Sequence, residues 1–162
     1  MFLAVLLASL SLHIHPSEID SLLRELDMSI RNRPQYTLKR QEQIDALQRK
    51  LRLSHSDQER YDLYRELFGK YRSYRMDSAL WVANQRVELA KRMKNPLYIR
   101  SAELNIAEVM IGVAMYKEGL EILDGIKSAD LDASGVSYYY YQYHHCLLYT
   151  SPRPRDGLLS RM

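Results

Sequence analysis

Cysteine is almost missing from this chain. The single Cys146 among 162 residues excludes an internal disulfide framework and leaves no cysteine pair for zinc. Glycine is scarce too, with six in all, and no glycine-rich phosphate loop can be found. Neither Ser-x-x-Lys nor Gly-x-Ser-x-Gly occurs, so nucleophilic chemistry lacks a starting residue. No segment sustains the alternation of a strand, which leaves an all-α reading. The net charge of +3 is small, but residues 21–76 hold thirteen Lys or Arg against eight acids and residues 77–132 seven against nine, so the basic bias sits in the first half.

What remains for chemistry is thin. His13-x-His15 and His144-His145-Cys146 are the clustered metal-type residues, and neither has a partner at ligand spacing, so no metal and no cofactor is expected. Glu103, Glu108, Glu118 and Glu121 fall among polar residues of helices and read as solvated faces, not paired catalytic acids. Arg60, Arg65, Arg72 and Arg75 alternate with tyrosines, a pattern that suits phosphate and base contact. The interleaved Asp57, Glu59, Asp62 and Glu66 cancel the single-sign field that nucleic acid needs. A noncatalytic region that does not bind nucleic acid is the expectation.

The helical rhythm begins after Pro16. Ile19, Leu22, Leu23, Leu26 and Ile30 form one apolar stripe, and after Asn32-Arg33-Pro34 a second helix carries Ile44, Leu47 and Leu51, giving a helical hairpin over residues 17–55. Ser56 and Glu59 read as a capping box opening a third helix with Leu63, Leu67, Tyr71 and Tyr74. A fourth helix from about Asp77 places Ala79, Leu80, Ala83, Val87 and Ala90 inward, small residues that let a neighbour approach closely. Ala102, Ile106, Val109, Met110 and Val113 mark a fifth, Leu120, Leu123 and Ile126 a shorter sixth, and a seventh starts near Val136.

Two of these units repeat. Asp77-Ser-Ala-Leu80 recurs as Lys117-Glu-Gly-Leu120, each opening a second helix, with Leu67 and Ala107 at matching places in the first. The pattern resembles tetratricopeptide repeats, though the interval from Asp77 to Lys117 is longer than the period usual there. It implies antiparallel helix pairs stacked as a short solenoid over residues 56–145, the third pair incomplete, each pair burying its apolar face on the next. The groove of such a stack suits a protein or peptide segment. Tyr64, Tyr71, Trp81 and Arg86 are the candidate surface residues.

Both ends read differently from the middle. Phe2 to Leu12 is an uncharged apolar run of eleven residues, the core of a secretory signal over residues 1–16, too short to span a bilayer and followed by no lipid-attachment cysteine. Cys146-Leu-Leu-Tyr-Thr-Ser-Pro-Arg-Pro-Arg-Asp156 shows two prolines and no helical face, and resembles a translated sequencing adapter, which makes residues 146–162 a non-native tail and the stack truncated at its C-terminus.

Residues 17–145 further resemble the start of a bacterial family, domain of unknown function 6377. The likeness rests on Glu18-Ile-Asp-Ser-Leu-Leu-Arg-Glu-Leu-Asp27, Arg33-Pro34 with its basic helix, Ser56-Asp-Gln-Glu-Arg-Tyr61, Tyr71-Arg-Ser-Tyr74 and Asp77-Ser-Ala-Leu80. The resemblance implies an exported repeat region on the periplasmic side of the inner membrane, then a membrane helix and a regulator segment, neither of them in this sequence. A soluble cytoplasmic adaptor is the alternative.

Overall fold

The structure is a computed structural model and describes residues 16–150, with side chains from Glu18 to Tyr149. The helices are α1 (Pro16–Arg31), α2 (Arg33–Leu53), α3 (Asp57–Tyr71), α4 (Met76–Arg92), α5 (Pro96–Gly112), α6 (Tyr116–Asp124) and α7 (Ala133–Thr150), with one 3-10 turn at Ser128–Asp130. No strand occurs among the described residues. None of the described helices is long and apolar enough to cross a membrane, and the run Phe2 to Leu12 lies outside the described residues. The chain divides into two units, residues 1–42 and 43–162.

The first unit holds α1 and the start of α2. Asn32 alone separates α1 from α2, its amide donates to the Met28 carbonyl, and its own carbonyl accepts from Gln35 and Tyr36. Helical hydrogen bonding therefore runs across the break, and Pro34, near the start of α2, lacks an N–H that a first turn does not use. Ile19, Leu22, Leu23, Leu26 and Ile30 do share a stripe, but they stand 45–60% exposed, and every side chain from Glu18 to Lys39 faces solvent.

The core lies in the second unit. Ile44 and Leu47 from α2 pack with Leu63, Leu67 and Phe68 from α3, Val82 from α4 and Val109 from α5. Further along, Leu104, Ala107 and Ile111 close on Leu123, Ile126 and Cys146. Each helix packs on the next from α3 through α7, and α5 also meets α7. The first helices of successive pairs are thus α3, α5 and α7, backed by α4 and α6. The seams are made of small residues: Ala79, Ala83, Ala90, Ala102 and Ala107 have no solvent exposure. Gly119, the counterpart of Ala79 in the next repeat, is buried so closely that an added Cβ would lie 2.7 Å from Ile111 Cγ1.

Two connections share one geometry. After α4, Asn95 N–H returns to the Ala90 carbonyl and Lys94 N–H to Lys91; after α5, Met115 N–H returns to Met110 and Ala114 N–H to Ile111. Lys94 (φ 51°) and Ala114 (φ 64°) take the left-handed position such helix ends require. Asn95 then caps α5 by accepting from Tyr98 N–H at 3.2 Å. At α3 the capping box is half made: Ser56 accepts from Glu59 N–H, but the Glu59 carboxylate is taken by the Ser54 hydroxyl at 2.7 Å.

Two inward readings and one outward reading need correction. Tyr74 and Val113 are exposed because both fall in the turns that end α3 and α5. After His145, where no helical face was expected, α7 continues to Thr150. Cys146 is wholly buried, with its thiol donating to the Tyr116 carbonyl at 3.4 Å.

Replacing Leu67 or Leu123 by Ala should lower unfolding free energy by about 2–5 kcal/mol, because each leaves a cavity in a closed core. Leu22→Ala should change it by less than about 0.5 kcal/mol. Urea denaturation followed by circular dichroism measures all three, and a Leu22→Ala loss matching that of Leu67→Ala would show that α1 is packed.

Candidate functional site

Backing α3 and α5 with α4 leaves a space between them, and the start of α7 closes its far side. The resulting cavity holds about 450 Å³ and is lined by Tyr61 and Arg65 of α3, Arg72 just past its end, Tyr98 and Asn105 of α5, and Tyr138 of α7. Its floor comes from behind. Arg86 reaches forward from α4 and is 2% exposed. Its Nη2 donates to the Tyr61 hydroxyl at 2.8 Å, its Nη1 donates to Asn105 Oδ1, and its guanidinium carbon lies 4.5 Å from the Tyr61 ring centre. Tyr61 stacks on Tyr98 at 4.5 Å and 8° between planes, while its hydroxyl donates to the Tyr98 carbonyl at 2.9 Å. Burial pushes the Arg86 pKa down and the Tyr61 pKa up.

The wall is tied by Glu108. This carboxylate accepts from Arg72 Nη1 at 3.1 Å and from the Tyr138 hydroxyl, so one acid of α5 joins α3 and α7. Burial, and then the charge of Glu108, lift the Tyr138 pKa far above its usual value. Glu108 is therefore not the solvated residue its polar neighbours suggested. Glu103 also differs, being half-buried and paired with Arg100 at 2.8 Å. Glu118 and Glu121 are exposed as expected. Among the described residues no group of three or more His, Cys, Asp or Glu is placed to hold a metal, and His13 and His15 lie outside them.

The four candidate surface residues do not form one surface. Tyr64 and Trp81 meet edge to face at 5.8 Å, with Trp81 55% exposed. Tyr71 is buried in the core, its hydroxyl accepting from Gln48 at 3.0 Å, because it continues the Leu63–Leu67 stripe by one turn. Only Arg86 reaches the groove. Tyr61, Tyr98, Asn105 and Tyr138 were missed as site residues. For two groove residues a signal was present: Arg86 interrupts Ala79, Ala83 and Ala90, and Asn105 interrupts Ala102 and Val109, each a polar residue at core spacing.

A stack of paired helices with an open groove of mixed apolar and polar lining defines a tetratricopeptide-type interaction region. The family model described as SusR N-terminal TPR domain matches residues 30–152, and the chain belongs to that family. No curated protein and no solved structure matches it. The family match starts within α1 and runs through the buried Cys146.

Tyrosines give the folded stack a pH signature. Burial raises Tyr61, Tyr64 and Tyr139, and Tyr143 is pushed up to about 12, first by its hydrogen bond to Asp124. Folded phenols that keep their protons longer than unfolded ones lend stability that is whole below about pH 10. That stability is lost as pH rises toward and beyond the folded values. Absorbance titration near 295 nm should show a late-ionising set among the thirteen tyrosines, with melting temperature falling above about pH 10. A single ionisation near pH 10 with the helices intact would contradict this arrangement.

Proposed function

We propose that this chain is the exported, partner-reading part of a membrane-anchored bacterial regulator, and that it docks a protein or peptide segment in the groove between α3, α5 and α7. The observation that carries the docking role is the groove itself: an open space of about 450 Å³ between successive first helices, lined by apolar and polar side chains together, the arrangement by which stacked repeats present extended partners. Export and anchoring draw support from the apolar run Phe2 to Leu12 and from the likeness to domain of unknown function 6377, whose membrane helix and output segment would follow this region. No catalytic role is assigned: of the groove's charged groups, Arg72 is tied to Glu108 of α5 and Arg65 to Asp62 within α3.

Two measurements on the intact native protein test the two halves. A photo-crosslinking residue at Leu97, on the groove, should trap a partner in cells, whereas the same residue at the solvent-facing Leu38 should not. Equal adducts at both positions would remove the groove from the account. Fractionation should find the protein in the inner membrane with residues 16–150 accessible from the periplasm. A cytosolic, uncleaved product would instead establish the soluble adaptor.

A further inference from the structure

The apolar stripe of α1 has no cover. Ile19, Leu22, Leu23, Leu26 and Ile30 stand 45–60% exposed on one face of a helix whose every described side chain meets solvent. Four of the five precede residue 30, where the family match begins, so the stacking of the repeats does not account for them. An apolar stripe at helical spacing with charges around it is the pattern of a helix that buries that face on a neighbour. Contiguous apolar patches left in water mark interaction sites.

The stripe matches itself. From Ile19 through Leu23 and Leu26 to Ile30 the steps are four, three and four residues, the same read in either direction. Steps of three and four are those of a coiled-coil seam. Two copies of α1 laid antiparallel therefore set Ile19 opposite Ile30 and Leu23 opposite Leu26, in two equivalent halves, as a two-fold dimer requires. The edges of the stripe choose that direction. Asp20 and Asp27 border it on one side, each followed a turn later by an arginine, Arg24 or Arg31, while Glu18 and Glu25 lie beyond the other side. An antiparallel pair brings like edges together, so that Arg24 of one copy comes within reach of Asp27 of the other, and Arg31 within reach of Asp20. A parallel pair would run the aspartates along the edge that carries the glutamates, where like charges repel. Ten side chains, five from each copy and each about half exposed, amount to about 1,000 Å² of apolar surface, the low end of specific interfaces. We infer that this chain self-associates through α1, two copies packing antiparallel on the stripe from Ile19 to Ile30. A pair of this size is reversible, so dilute protein is monomeric with α1 in water. The interface is separate from the groove and does not depend on what docks there.

Sedimentation velocity of the full chain from about 1 to 300 µM should show a reversible monomer–dimer equilibrium. Leu23→Glu combined with Leu26→Glu, both outside the core, should weaken it by about tenfold or more, because each variant side chain would carry a charge into the seam. The unfolding transition of the dilute variant should match wild type. Cysteine crosslinking reads the direction, with wild-type protein as the control for the buried Cys146. Ile19→Cys and Ile30→Cys, mixed and oxidised, should link to each other, and neither should link to itself. Self-linking of each variant without the mixed product would overturn the antiparallel pair. A monomer at every concentration would overturn the inference, and flotation of that monomer with vesicles of zwitterionic and anionic phospholipid would assign the stripe to a membrane surface instead. Association undiminished in the double-glutamate variant would place the contact elsewhere, the apolar run Phe2 to Leu12 included, and would overturn it as well.

Discussion

Close approach of helices through small residues is the constraint on which the rest depends. Ala79, Ala83 and Ala90 on α4 and Ala102 and Ala107 on α5 have no exposed surface, and Gly119 on α6 admits no Cβ. With seams this tight, α3 and α5 each pack on α4, and the space left between them becomes the groove. The same tightness brings the Arg86 guanidinium, rooted on α4, forward among side chains of α3 and α5.

Polar groups then make the groove specific in shape. Apolar packing alone would let the first helices slide, since its energy is non-directional. Directional contacts settle their spacing: Arg86 joins Tyr61 to Asn105, and Glu108 joins Arg72 to Tyr138. These ties span three successive first helices. They also explain why a tyrosine-rich chain tolerates so many hydroxyls in half-buried positions, because Tyr61, Tyr71, Tyr138 and Tyr143 find hydrogen-bond partners while Tyr140 and Tyr141 turn to solvent.

Much of the fold was legible because helical period and small-residue spacing are local properties. Ala79, Ala83, Val87 and Ala90 are buried as their spacing predicts, and Asp77 and Lys117 do open equivalent helices one repeat apart. Burial by partner was harder. The stripe from Ile19 to Ile30 has the period of a core face, yet period says nothing of whether a neighbour is there to cover it. Site residues were mostly illegible for a related reason. Tyr61 and Tyr98 gain their role from stacking across 37 residues, and Glu108 from partners 36 and 30 residues away, distances at which sequence pattern carries no signal. Arg86 and Asn105 were the exceptions, polar residues set in apolar stripes, where a fold either satisfies a buried group or uses it.

Native-state hydrogen exchange on the whole chain tests the central claim most directly. If the small-residue seams make the stack the cohesive body, amides in the middle of α4 and α5 exchange slowest, those of α3 and α6 follow, and those of α1 and the first turns of α2 exchange near the rate of an isolated helix. Protection in α1 equal to that in α4 would contradict the account, since it would place the folding core where every described side chain faces solvent.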